Sequence, residues 1–310
     1  MEDHERRRHL ETLAATRTAL KAAVRGLPKK VLLFTPAPGK WSILEILVHL
    51  RDMEREAYLE RYRRILAEEE PRLPDLNGEA FAIERAYRSA KPAEVLRDWS
   101  RLRRESLGLL FKMKADQWAR AGHHETAGRL TMEDLLRRHA VGNDEAHLGQ
   151  IEAIKRRYAL FEKLAAAPAA LADALKGVSD AALRRRPAPE KWSMIENAAH
   201  VRDIERLYQM RFSKIAFGDR PAFWMLDNDR AAAELKYGEA DPVAVVREFR
   251  RLREETRTLL GSLPHELWRK TGLHPKRGEL TLEELAGVLA GHDERHLAAI
   301  RSLRGTDLRP

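Results

Sequence analysis

The chain is written twice. The stretch RPAPEKWSMIENAAHVRDIERLYQMR from Arg186 repeats TPAPGKWSILEILVHLRDMEREAYLER from Thr35, with Trp41 matching Trp192, His49 matching His200 and Asp52 matching Asp203. Further along, Pro71 pairs with Pro221, Tyr87 with Tyr237, Arg103 with Arg253, Trp118 with Trp268 and Thr131 with Thr281, and VGNDEAHLGQI lines up with AGHDERHLAAI near the end. The spacing drifts from 151 to 150 to 149 residues, yet the order never breaks. A repeat of this length is a domain able to bury its own core, so 310 residues read as two copies of one fold. The expected domains are residues 1–158 and 159–310, with the boundary near Tyr158 to Ala167.

Each copy carries four helical patterns and no strand pattern of useful length, which makes the fold all-α, two tandem four-helix bundles. The first helix covers about Glu5 to Arg25, and its counterpart starts near Pro168, where a proline suits a first turn. The second opens with the capping boxes Ser42-x-x-Glu45 and Ser193-x-x-Glu196. The third covers about Pro92 to Lys114 and Pro242 to Ser262, and the fourth begins at Thr131 and Thr281. Long Pro- and Asp-containing connections, EEEPRLPDLNGE and FGDRPAFWMLDND, join helices two and three. Thr131 to Asn143 spans one residue more than Thr281 to His292, and the extra residue sits in a π-bulge or delays the helix start. Gly142 and Gly291, both mid-helix, imply a close helix approach.

On the last helix Leu285, Leu289, His292, His296, Ile300 and Leu303 form one apolar stripe. Both histidines therefore face the bundle interior one turn apart, about 5–6 Å, a separation that one ion bridges. His200 lies on an inward row with Ile204 and Leu207. Three imidazoles from two helices give a site with open positions for water, as catalytic zinc sites have. The competing reading of each histidine is a hydrogen-bonded core residue.

In the first copy His49 and His147 remain, but Asn143 stands where His292 does, and a neutral amide is a poor ligand for borderline cations. His139 lies eight residues before His147, about 12 Å along the axis, and does not replace it. Asp52 and Asp203, three residues after the helix-two histidines, are catalytic candidates that could orient an imidazole or accept a proton; an ion pair with an arginine such as Arg206 is the alternative. His124 and His274 precede helix four and could line a mouth, while Trp41 and Trp192 read as core anchors.

With no cysteine, any ligand chemistry rests on His, Asp, Glu or Asn, and disulfides and thiolate sites are excluded. No signal-like segment and no run of about 18 apolar residues occurs, so the expectation is a soluble cytoplasmic protein with no membrane partner. The net charge of +9 is spread along segments such as EFRRLREE, mixed with acids, and reads as solvated helix faces, not as a nucleic-acid surface.

PAPEKWSMIENAAHVRDIE, LHPKRGELTLEELAGVLAGHDERHLAAI and their first-half partners resemble the DinB-like superfamily, in its branch related to bacterial thiol-dependent transferases. The resemblance implies an up-down-down-up four-helix bundle, commonly dimeric, here fused into an internal pseudo-dimer that could be monomeric as a chain. It implies a divalent ion, zinc or nickel, held by His200, His292 and His296 in the second half. The first-half equivalents, His49, Asn143 and His147, form a degenerate site. On this reading the protein is a metal-dependent hydrolase or thiol S-transferase acting on a small-molecule substrate, with a low-molecular-weight thiol as cosubstrate. The alternative is a non-catalytic binding or scaffold module whose metal sites are degenerating.

Overall fold

The serine at the head of each second helix fixes where that helix begins. Ser42 Oγ accepts from the Glu45 N–H at 3.4 Å while Glu45 takes the Ser42 N–H at 2.8 Å, and Ser193 and Glu196 repeat the exchange. From this shared start the copies diverge in the computed structural model, which describes residues 2–307. In the second copy one α-helix runs Met194–Phe217. In the first, Ile43–Asp52 passes through a π-helical segment, Met53–Leu59, into Glu60–Ala67.

The fourth helices behave alike. Thr131 and Thr281 cap their helices through Asp134 and Glu284. The second copy then forms Leu282–Asp307 without interruption, whereas the first runs Met132–Arg137, a π-helix over Arg138–Glu145, then Ala146–Leu175. The cap holds the helix start, so the extra residue before Asn143 is absorbed as a π-turn and not as a delay. The other π-segment has the same origin: Glu54 matches Glu205 at a spacing of 151, but Tyr58 matches Tyr208 at 150.

Third helices run Pro92–Leu110 and Pro242–Ser262, each with proline in its first turn. The first helix of the chain is Asp3–Val24. Its counterpart does not start at Pro168, which lies inside the helix Ala146–Leu175. A proline there has no N–H for the carbonyl four residues earlier. That carbonyl, Leu164 O, is instead taken by Arg253 Nη1 at 2.9 Å.

The chain folds as two compact units, residues 1–35 with 41–156 and residues 36–40 with 157–310. In the second unit one guanidinium ties all four helices. Arg253, buried on helix three, pairs with Glu205 of helix two and Asp293 of helix four (both 2.7 Å) as well as with Leu164 O. Arg103 does the same in the first unit with Glu54, Asp144 and Leu13 O. Around these ion clusters pack Phe212, Ile215, Trp268, Leu285 and Leu289 in the second unit, and Leu13, Tyr62, Ile65 and Leu136 in the first.

Two features depart from the sequence expectation. Short hairpins, Ala121–His124 with Gly128–Thr131 and Thr271–His274 with Gly278–Thr281, precede the fourth helices. Four-residue arms are too short for alternation to register in sequence; their turns close on Gly128 and Gly278 at φ +72° and +75°. The mid-helix glycines mark no close approach either, since a Cβ on Gly142 would meet nothing within 4 Å and one on Gly291 only the tip of Arg295 at 3.9 Å. No helix among the described residues is long and apolar enough to cross a membrane.

Candidate metal centre

The capped start of Met194–Phe217 places His200 two turns into the helix, opposite His292 and His296 on Leu282–Asp307. His200 Nε2 lies 3.1 Å from His292 Nε2, and the three ring centroids are 4.4–5.0 Å apart. One nitrogen from each ring falls within 4.8 Å of the others. Asn197, one turn before His200, settles the orientation of the third ring. Its Nδ2 donates to Ser193 O at 2.8 Å, which leaves Oδ1 as the acceptor facing His296 Nδ1 at 2.8 Å. His296 is thereby the Nδ1–H tautomer, with the lone pair on Nε2. His200 Nδ1 and His292 Nδ1 are buried with no hydrogen-bond partner among the described residues.

All three rings are neutral at pH 7. Burial, reinforced by the neighbouring imidazoles, lowers His200 to about 3 and His292 to about 2; burial, with Arg295 adding to it, lowers His296 to about 4. Neutral, close and held by the backbone of two helices, the rings present lone pairs where a cation could take them.

In the first unit His49 and His147 also meet, at 4.9 Å and 69°. Burial is the main cause that brings His49 down to about 4 and lowers His147 too. At the third position Asn143 Nδ2 donates to its neighbour Asp144 Oδ1 at 3.2 Å, within the buried Arg103 cluster. His147 Nδ1 pairs with Gln150 Oε1 of its own helix at 2.9 Å, not with a residue of helix two. Above His49 opens a cleft of about 500 Å³ lined by Trp41 and residues 75–79. A Cβ on Gly78 would lie 2.8 Å from His49 Cε1, so that glycine is required by the ring's approach; Asn228 holds the place in the second unit.

The sequence profile of the DinB superfamily matches residues 12–151 and again 163–300. The chain belongs to the DinB superfamily. The chain is similar to the uncharacterized protein YuaE of Bacillus subtilis (strain 168), with 25% identity over an alignment of 143 residues that covers 42% of this chain and 88% of YuaE. It is also similar to the solved structure of YfiT from Bacillus subtilis, described as a probable metal-dependent hydrolase with an unusual four-helix bundle topology. That match has 22% identity and a TM-score of 0.48, over 51% of this chain and 90% of YfiT.

The remaining candidates of the two DinB units find other partners. Asp203 accepts from Arg202 Nε at 2.8 Å and from Arg206 Nη1 at 3.1 Å; Asp52 accepts from Arg85 Nη1 at 3.0 Å and from the Tyr87 hydroxyl at 2.9 Å. Both aspartates are thus hydrogen-bonded by arginines, while their charges still act on His49 and His200. His124 and His274 lie on the hairpins and are not among the three clustered histidines. Trp192 packs against the core of the second unit, as anticipated, and both tryptophans also touch the histidines. Half-buried Trp192 sets its edge against His200 at 4.8 Å and stacks over His296 at 6.2 Å, and Trp41 lies 4.7 Å from His49.

Asn197 escaped the sequence reading, whereas His139 was rightly set aside as a ligand but its role was not read. Asn197 carried a signal, a polar side chain on an inward row where the first copy has Ile46. His139 is no ligand of the first site; its ring stacks on Tyr58 at 3.8 Å and bonds Glu54 at 2.9 Å and the Tyr62 hydroxyl at 3.1 Å. Leu289 and Phe212 replace His139 and Tyr62 in the second unit.

Proposed function

We propose that the second DinB unit holds one divalent metal ion, zinc or nickel, on the Nε2 atoms of His200, His292 and His296, and that the protein is a metal-dependent hydrolase or thiol S-transferase acting on a small molecule. The observation that carries this reading is the convergence of three neutral imidazoles, two with Nε2 atoms 3.1 Å apart and the third turned by Asn197 so that its Nε2 lone pair is free. Three histidines leave coordination positions open, the pattern of catalytic sites rather than closed structural ones. A bound ion supplies Lewis acidity, making a water or a thiol cosubstrate acidic enough to act as a nucleophile near neutral pH.

The chain's own groups do the positioning. Asn197 fixes the tautomer of His296, and Trp192 covers two of the rings and shields them from solvent. The first unit has the neutral amide of Asn143, a poor ligand for borderline cations, in place of the third imidazole, and it serves as a bundle without an ion.

Elemental analysis of untagged protein, purified without a nickel column, tests the reading against His292→Ala. Near-stoichiometric metal in the parent and little in the variant is the expected outcome; equal, negligible metal in both overturns it. Turnover of electrophiles with low-molecular-weight thiols, abolished by His296→Ala, separates an enzyme from a binding module.

A further inference from the structure

Arg211 stands apart from the other buried arginines. It is 4% exposed on Met194–Phe217, yet no carboxylate pairs with it among the described residues. Its Nη2 donates to Trp224 O at 2.8 Å, its Nε is buried without a partner, and its guanidinium lies 5.3 Å from the Tyr208 ring and 5.4 Å from the Phe223 ring. The charges that act beside it on its neighbours are cationic. Arg277 and Lys276 act with it on buried His274, and Arg277 and Arg295 act with it on Tyr208. A buried cation without a counter-charge is costly, and that cost is relieved when an anion binds.

The first unit shows what the same place looks like when the chain supplies the counter-charge. Arg61 matches Arg211 and makes the same bond, Nη2 to Pro74 O at 2.7 Å. Beside it, however, stands Asp75, which acts on both Arg61 and His124, and Glu125 also acts on His124. In the second unit Met225 replaces Asp75 and Pro275 replaces Glu125, while Lys276, Arg277 and Arg295 replace Thr126, Ala127 and Ala146. Arg138, which also acts on Arg61 and His124, is Val288 in the second unit, so two acids and one base have gone while three bases have arrived. At the rim Trp224 is 55% exposed and Met225 43% exposed, a large apolar surface set directly beside the cations.

We infer that the second unit binds a small organic anion, a carboxylate or phosphate with an apolar body, whose charged end meets Arg211, Lys276 and Arg277 and whose body lies on Trp224 and Met225. Guanidinium groups match both oxyanions with paired N–H donors, and an aromatic ring beside them selects an organic ligand over a free ion. The inference stands on residues outside the histidine cluster and needs no ion there.

Calorimetric titration of the full, metal-free chain with phenyl phosphate, benzoate and inorganic phosphate tests it. Phenyl phosphate or benzoate binds the parent more tightly than inorganic phosphate, and more weakly as salt is raised. Met225→Asp, which returns the first unit's carboxylate at an exposed position where folding is not at risk, weakens binding at least tenfold, as does Arg211→Met. His296→Ala leaves the affinity within twofold, so loss of the metal reading and loss of the anion site are separately visible. No binding to the parent at millimolar ligand, or unchanged affinity in Met225→Asp, overturns the inference.

Discussion

Asn197 Oδ1 lies 2.8 Å from His296 Nδ1, and these two residues, 99 positions apart, join the start of helix two to the interior of helix four. The first unit has Ile46 where Asn197 stands. Asn197→Ile therefore places a side chain that the bundle already accommodates, while removing the acceptor that holds the His296 tautomer. Losing such an orienting partner costs about 10- to 100-fold in metal affinity. Competition with a chromophoric chelator measures it, and an affinity equal to that of the parent contradicts this role for Asn197.

The two units are expected to differ in metal content. With Asn143 where the second unit has His292, the first unit offers two imidazoles and a weakly ligating amide. The chain should bind one ion, and His49→Ala should leave that stoichiometry unchanged. Two ions per chain in native mass spectra would refute the asymmetry.

Acid should destabilise the metal-free protein over a defined window. His200, His292, His296 and His49 all titrate below the ordinary value of 6.5, chiefly because burial penalises the charged ring. Between about pH 6.5 and about 4 the unfolded chain binds protons that these native rings refuse, so the unfolded state gains and stability falls as the pH drops. The contribution is fully favourable above 6.5. The thermal midpoint should decline through this window and decline less steeply in His200→Phe, which removes one such ring; identical slopes for parent and variant count against the assignment.

Arg253 is expected to be worth more to stability than any other charged residue of its unit. Arg253→Met strands the carboxylates of Glu205 and Asp293 in the interior and leaves the Leu164 carbonyl, which Pro168 cannot satisfy, without a donor. Breaking a buried ion cluster from one side costs about 3–5 kcal/mol. Urea unfolding followed by circular dichroism reads this directly, and a loss below about 1 kcal/mol would show that the cluster relaxes or hydrates instead.

The sequence alone misplaced a helix start at Pro168 but carried the duplication, the capped starts of helices two and four and the inward face of the three histidines. Each of these is local: a capping box spans four residues, and a 3.6-residue period shows which side chains share a face. It also carried the spacing drift, one residue gained twice in the first copy, although not what becomes of the extra residue. The tertiary structure decided that, because a cap at Thr131 and packing beyond Asn143 hold both ends of the helix and leave only a π-turn between them. It likewise set Trp192, which packs against the core as anticipated, edge-on to His200, and gave Asp203 to Arg202 and Arg206. It set His296 against Asn197 and Arg253 against Leu164 O, partners 99 and 89 residues apart. A side chain's face is written in its neighbours along the chain, but its partner is chosen by competition among all the groups that folding brings within reach, and that competition exists only once the helices have packed.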